Sequence, residues 1–487
     1  MNVLLVSAEA VPFAKVGGLA DVAGTLPKAL RQEGVDARVI MPGYGQINHQ
    51  RYNINHQFTF AFTHRTGTSD VRVYMCIYEG VTFYFIQGYP FFGNENTVYT
   101  EWSWDAQRFI WFNQAVMATI YELNQREEWM PDVVNVNDWH TSLLPFLIAE
   151  NRWKQEWRRV ATVLTIHNIA YMGNYVQKFL FDAGIGYRAH PLVDKYDLHD
   201  NLLGLAISFS DKIATVSPRY AIEIQYEWAG YELAGAIYDR RFDLVGILNG
   251  IDMQNNDPAT DRFLVQNYDA SNFAKMRPAN KRHLQQFAHL PLREDVPIIG
   301  VVSRLASQKG FDFAIPAVRR LLVDTDAQFI LLGTGEPQIE HEVRKLASDF
   351  GWRARAYLEY DAAIAQHIYA GSDMFLMPSH FEPCGIGQML AMRYGSLPIV
   401  RETGGLADTV QNYDNGEGDY GTGFVFSWET SEALLGTLRW ATGTYRKNRG
   451  AWLRLQKRAM EQDFGWHHSA RQYIQLYQQA SQKYQGV

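Results

Sequence analysis

Gly17-Gly18-Leu19-Ala20-Asp21 recurs letter for letter as Gly404-Gly405-Leu406-Ala407-Asp408. Each copy follows a short apolar run, Asn2 to Ser7 before the first and Ser396 to Val400 before the second. Each also opens a stretch of helix formers. An apolar run of this length with no polar alternation suits a parallel strand buried on both faces. A strand, a glycine-rich turn and a helix, repeated near each end of a long chain, predict two doubly wound α/β domains. In such sheets ligands bind outside the carboxyl ends of the strands, where both turns lie. A chain of 487 residues is also too long for one core.

The alternation of strand and helix places a first domain at residues 1–250, a second at 251–462, and a last helix within 463–487. Residues 55–90 break the pattern with three runs rich in β-branched and aromatic residues, which predict a meander added to the first sheet. Pro27 predicts a kink or a restart in the first helix. Residues 252–280 are polar and turn-rich, the domain linker is placed at about 250–262, and no element is assigned before the strand at Ile298.

Composition excludes several classes. A net charge of −7 argues against a nucleic-acid surface. No segment reaches the ~18 apolar residues of a membrane span. Cys76 and Cys384 are too few for a disulfide framework, and the N-terminus reads as a core strand rather than a signal peptide, so a cytoplasmic protein is expected. There is no P-loop, no G-x-G-x-x-G with a ribose-binding acid and no G-x-S-x-G elbow. An aromatic content of 14% is compatible with carbohydrate binding, since sugar rings stack on aromatic faces, although core packing accounts for most such residues.

The candidate chemistry collects at strand ends. In the second domain, Ser379-His380-Phe381-Glu382-Pro383 follows a strand, and Cys384-Gly385-Ile386-Gly387 is a flexible turn before a helix. Thr403-Gly404 opens the next helix. Glycines at such turns let backbone N–H groups approach an anion, and Glu382 stands beside them. Arg304 and Lys309 deliver a planar fork and a point charge to the same sheet edge, a pair suited to a diphosphate. A solvated basic loop is the plainer reading of those two cations. In the first domain Lys15 precedes the Gly17-Gly18 turn, and Asp138, His140, His167 and Asn168 fall at strand ends. Helix capping and a satisfied polar core would also explain them. His140 and His167 raise zinc as an alternative, but no third ligand has suitable spacing, so no metal is expected.

These motifs together resemble the bacterial glycogen synthases and plant starch synthases. The likeness rests on Ser7-Ala-Glu9 with Lys15-Val-Gly-Gly-Leu19, Asn137-Asp-Trp-His140, Thr165-Ile-His-Asn168, Thr215-Val-Ser-Pro218 and Gly246-Ile-Leu-Asn-Gly-Ile-Asp252. It continues through Ser303-Arg304 with Lys309-Gly310, Phe381-Glu-Pro-Cys-Gly385 and Thr403-Gly-Gly-Leu-Ala-Asp408, and spans the chain to about residue 480. The resemblance implies a GT-B fold, two Rossmann-like domains facing each other across a cleft, with the last helix packed back on the first domain. It implies transfer of glucose from ADP-glucose to the non-reducing 4-OH of an α-1,4-glucan, with retention and without a metal or other cofactor.

By the same resemblance, Arg304 and Lys309 neutralise the diphosphate, with Lys15, Gly18, Thr403 and Gly404 nearby. Glu382 holds glucose hydroxyls, and Cys384, Gly385, Ile386 and Gly387 line the sugar. His167 sits near the anomeric carbon. Asp138 and Asn249 orient hydroxyls, Tyr360 lies on the adenine side, and Asp138, His140 and Asn168 face the acceptor. The chain departs from the family pattern at Asn135 and Asn137, where His-x-His is usual, and at Gly387, where Thr or Asn is common. Glu359-Tyr360-Asp361 replaces a usual Gly-Tyr-Asp. These changes leave a UDP-glucose enzyme, or a glucan-binding paralogue with little turnover, as alternatives.

Overall fold

Five-residue apolar strands leave their N–H and C=O groups no partner but each other, so they collect into sheets. The computed structural model, which describes residues 1–65, 67–417 and 420–484, contains two such sheets in two compact units. The units are Met1–Gly250 with Trp466–Val487, and Ile251–Gly465.

The first unit holds β1 (Asn2–Val6), β2 (Asp36–Pro42), β3 (Asn55–His64), β4 (Gly67–Tyr78), β5 (Val81–Gln87), β6 (Val133–Asn137), β7 (Ala161–Ile166), β8 (Lys212–Thr215) and β9 (Leu244–Gly246). Their order is β3-β4-β5-β2-β1-β6-β7-β8-β9. β3, β4 and β5 form the antiparallel meander, and β5 joins the parallel part alongside β2. The strand order reverses between β1 and β6, which pair in parallel. The carboxyl ends of these two strands flank the crevice where a doubly wound sheet binds ligands.

The helix Gly18–Gln32 runs through Pro27 as one element, so the restart offered as one of two outcomes does not occur. Pro27 is buried on the helix's apolar face, so packing outweighs the one lost backbone bond. The last helix, Trp466–Gln482, belongs to this unit. It packs on the helix Gly18–Gln32 and on β7, and its Tyr477 hydroxyl donates to Asn135 Oδ1 at 2.9 Å.

The second unit has β10 (Ile298–Val302), β11 (Gln328–Leu332), β12 (Ala354–Tyr357), β13 (Met374–Met377), β14 (Leu397–Arg401) and β15 (Phe424–Phe426). All pair in parallel in the order β12-β11-β10-β13-β14-β15, with the reversal between β10 and β13. Among the described residues no helix is long and apolar enough to cross a membrane.

Sequence reading missed one buried element here. The polar-looking segment before β10 contains a helix, Pro278–Phe287. Its Leu284 is fully buried, packing where a Cβ on Gly371 would come within 2.7 Å of it. Its Lys281 is buried too. The ammonium pairs with Asp373 Oδ2 at 2.8 Å and donates to Val296 O at 2.7 Å and to the Tyr445 hydroxyl at 2.6 Å. Asp373 in turn accepts from the Ile298 N–H at 2.9 Å. This ammonium thus locks the helix to the start of β10 and β13. Removing one partner of a buried pair leaves the other uncompensated. Lys281→Met is therefore expected to destabilise the protein by about 3–5 kcal/mol, read by denaturant unfolding.

Candidate active site

In the first unit the reversal point is organised by two buried carboxylates, Glu9 after β1 and Asp138 after β6. Glu9 Oε2 accepts from the Gly17 N–H at 3.0 Å and from the Val16 N–H, and Oε1 accepts from the Tyr99 hydroxyl at 2.9 Å. The loop before the helix Gly18–Gln32 is therefore tied down from below. Gly18 begins that helix, and a Cβ there would meet nothing within 4 Å. Packing within the protein does not explain its missing side chain. Lys15, beside the turn, is half-exposed and pairs with Asp21 at 2.7 Å. A surface pair of this kind is worth only ~0.2–1 kcal/mol, so the ammonium is readily given to another anion.

Asp138 has φ of 54°, a conformation rare for a residue with a side chain. Its Oδ1 accepts from the His167 N–H at 2.7 Å and the Asn168 N–H at 3.3 Å, tying the end of β6 to the end of β7. Burial pushes its carboxyl up to about 7, against the opposing pull of those two N–H groups. The rings nearby stay neutral. Burial pushes His167 down to about 3. His140 falls to about 3 as well, from burial first and then from Arg108 and His167. His140 stacks on Tyr99, with centroids 5.1 Å apart, and its buried Nδ1 has no hydrogen-bond partner. Asn249 Oδ1 is also buried without a partner.

In the second unit the loops after β10 and β13 are fastened together. Gly310, at φ of 71°, brings the backbone so close that a Cβ would lie 2.1 Å from Pro378 O. The His380 N–H donates to Gln308 O at 2.9 Å and Gln308 Nε2 donates to Phe381 O at 3.0 Å. This places Lys309 Nζ 2.6 Å from Glu382 Oε2, which also accepts from the Ser379 hydroxyl at 2.9 Å. Arg304 is exposed, and among the described residues its guanidinium makes no hydrogen bond or ion pair. Gly404, at φ of 43°, has no room for a side chain, since a Cβ would lie 2.0 Å from Glu382 O. The Gly405 N–H donates to that same carbonyl at 3.0 Å.

Cys384 is buried, Gly385 has φ of 74°, and Ile386 caps the helix Gly387–Arg393. A Cβ on Gly387 would come within 3.1 Å of Phe375 and 3.3 Å of Met377 Sδ, so these two side chains occupy the space that a Thr or Asn would need. Tyr360 is 84% exposed on the turn after β12, just before Asp361, whose Oδ1 caps the next helix by accepting from the Ile364 N–H at 2.9 Å.

Each unit thus gathers its own candidates at its own strand reversal. Lys15, Gly18, Asp138, His140, His167 and Asn168 lie at that edge of the first sheet, and Arg304, Lys309, Glu382, Gly385 and Gly404 at that of the second. Sequence reading gave no role to Tyr99, Ser379 or Gln388, and placed Glu9 only within a motif. Gln388 Nε2 donates to Cys384 O and Gly385 O at 3.1 Å each. The one signal available for Glu9 was a carboxylate directly after a strand too apolar to want it. Asn137 was read as a motif residue, a cap candidate and a departure, not as a partner of His167, yet its Oδ1 stands 2.8 Å from His167 Nε2.

The Asp138 carboxyl gives a test with a definite sign. Its proton is held more tightly in the folded state, so the stability it confers is greatest at low pH and is lost as pH rises through about 7. Charging it costs about 4 kcal/mol relative to an exposed carboxyl. The neutral histidines act in the opposite range, adding stability above about pH 6.5 that is lost as pH falls. Asp138→Asn keeps the Oδ1 acceptor and tolerates the positive φ. Its melting temperature is expected to exceed that of the wild type by a margin that grows between pH 6 and pH 8, followed by calorimetry.

Residues 2–239 match the family described as starch synthase catalytic domain, and residues 284–444 match glycosyl transferases group 1. The chain is 41% identical to a glycogen synthase of Clostridium novyi, covering 98% of each chain. It is 42% identical to one of Lactiplantibacillus plantarum, covering 98% of this chain and 99% of that one. Among solved structures it resembles the catalytic domain of starch synthase IV from Arabidopsis thaliana bound to ADP and acarbose. That match has a TM-score of 0.89 and 31% identity and covers 99% of both chains. A sucrose-phosphate synthase from Thermosynechococcus elongatus, 16% identical with a TM-score of 0.59 over 98% of each chain, shares the fold. With a sheet reversal lined by matching motifs in each unit and full-length relatives at this identity, the chain belongs to the glycogen and starch synthase family of GT-B glycosyltransferases.

Proposed function

We propose that the donor is ADP-glucose and that glucose passes to the non-reducing 4-OH of an α-1,4-glucan with retention of configuration. The observation that carries this reading is the Lys309–Glu382 pair at the strand reversal of the second unit, with an unpaired Arg304 on the same edge. Arg304 and Lys309 meet the diphosphate as its charge develops, an electrostatic contribution that needs no rearrangement at the moment of reaction. Glu382, freed from sharing Lys309, accepts from glucose hydroxyls. Lys15, Gly18, Thr403 and Gly404 are assigned to the donor phosphates, and Tyr360 to the base. Cys384, Gly385, Ile386 and Gly387 line the sugar.

His167 stands near the anomeric carbon as a neutral ring, which does not oppose a developing oxocarbenium ion as an imidazolium would. Asn249, His140 and Asn168, with Asp138, orient hydroxyls of donor and acceptor. The unpartnered atoms of Asn249 and His140 support this, because a buried polar atom left unsatisfied costs free energy until something binds it. No protein nucleophile is assigned. The sequence offers no obvious carboxylate pair for a double displacement. The ADP in the Arabidopsis relative favours ADP-glucose over UDP-glucose. A cytoplasmic location belongs to the same reading.

Incorporation of labelled glucose into glycogen is expected from ADP-glucose and to be much weaker from UDP-glucose. Binding of glycogen with incorporation from neither donor would instead mark a glucan-binding paralogue. Lys309→Ala or Arg304→Ala should lower kcat about 100-fold while leaving glycogen binding nearly unchanged, and wild-type rates in both would remove the diphosphate assignment. The glycines separate binding from packing. Gly18→Ala should melt like the wild type yet raise the donor KM, whereas Gly404→Ala should lose about 2–4 kcal/mol of stability.

A further inference from the structure

The end of β6 carries Asn135, Asn137 and Asp138, and all three are buried. Asp138 holds the backbone of His167, and Asn137 reaches its ring. The orientation of the Asn137 amide is settled by its other contacts. Its Nδ2 donates to Val6 O at 3.0 Å and to Asn135 O at 3.3 Å. Turned over, the amide would press its oxygen against two carbonyl oxygens, none of which can donate. Oδ1 must therefore face His167, 2.8 Å from Nε2. An amide oxygen only accepts, so Nε2 carries a hydrogen.

Asn135 supports the arrangement from beneath. Its Nδ2 donates to Val163 O at 3.0 Å and to Thr165 Oγ1 at 2.9 Å, and its Oδ1 accepts from Tyr477. A buried ring with its pKa near 3 is neutral and holds one proton. With that proton on Nε2, Nδ1 is left as a lone pair, and among the described residues no hydrogen bond reaches it.

We propose that Asn137 is a positioning residue that locks His167 as the Nε2–H tautomer, so that Nδ1 is presented as an acceptor to a sugar hydroxyl. The role of Nδ1 rests on the placement of His167 at the sugar given above, while the tautomer does not. The departure from His-x-His is then no loss. A histidine at 137 has two ring nitrogens whose donor and acceptor roles can exchange, whereas an amide fixed by two carbonyls cannot exchange them.

The test is long-range proton–nitrogen NMR on the full chain labelled with [15N]histidine, with His167→Gln identifying the signals. The wild type should show Nε2 protonated and Nδ1 bare. Asn137→Leu keeps the shape and removes the acceptor, and it should give averaged shifts of two exchanging tautomers. Its kcat should fall about 10-fold with the donor KM changed less than about 3-fold, the split expected of a positioning residue. A wild-type ring protonated at Nδ1, or averaged, overturns the proposal, as does a Leu variant with the wild-type spectrum or the wild-type kcat. Should the Leu variant fail to fold, the wild-type spectrum decides. An Nε2–H ring in a protein that transfers no glucose would refute the functional reading and leave the lock standing.

Discussion

A carboxylate taken out of water must be met by donors or it will not stay charged, and at Asp138 the donors are the backbone N–H groups of the next strand's end. That requirement bends the chain into a positive φ, binds β6 to β7, and fixes where His167 and Asn168 begin. It also sets the electrostatic character of the site. The same burial that pushes Asp138 up keeps both rings neutral, so at this edge the first unit offers mainly hydrogen-bonding groups, with Lys15 beside the glycine turn as its cation. The second unit brings two further cations, Arg304 and Lys309, to its own edge. Neutral polar groups suit hydroxyls, and cations suit phosphates.

The repeated Gly-Gly string looks like one device used twice, but its two copies answer different constraints. At Gly404 the backbone of the Glu382 loop lies so near that any side chain would collide with it. At Gly18 the space is empty, and Glu9 holds the turn by its preceding N–H groups. One glycine pair is required by packing and the other leaves room for something to approach. Identical letters at equivalent turns therefore carry no guarantee of identical work, and the distinction is visible only once the neighbours are in place.

Strand and helix positions, the antiparallel meander and the two-unit division were legible because each rests on local periodicity or chain length. The helix Pro278–Phe287 was not, since the partners that make Lys281 a buried residue lie at Asp373 and Tyr445, far away in sequence. The unbroken helix through Pro27 was hidden for a similar reason, as the local cost of proline was clear and the compensating packing was not. At the site, the residue types and their placement at strand ends could be read directly. The ion pair of Lys309 with Glu382, the support from Glu9 and the contact of Asn137 with His167 could not.

What the sequence by itself determined is the inventory: two α/β halves, their glycine turns, and the cations, carboxylates and rings delivered to strand ends, all set by short-range rules of period and turn chemistry. Only the tertiary structure decided which of those groups are charged, which are already engaged and which are left open. Burial, a partner 131 residues away, as Val6 is to Asn137, or a Cβ that would stand 2.0 Å from a carbonyl, as at Gly404 beside Glu382, settles such questions. A protonation state or a hydrogen-bond direction is a property of an environment, and the environment is assembled from residues that do not adjoin in the chain.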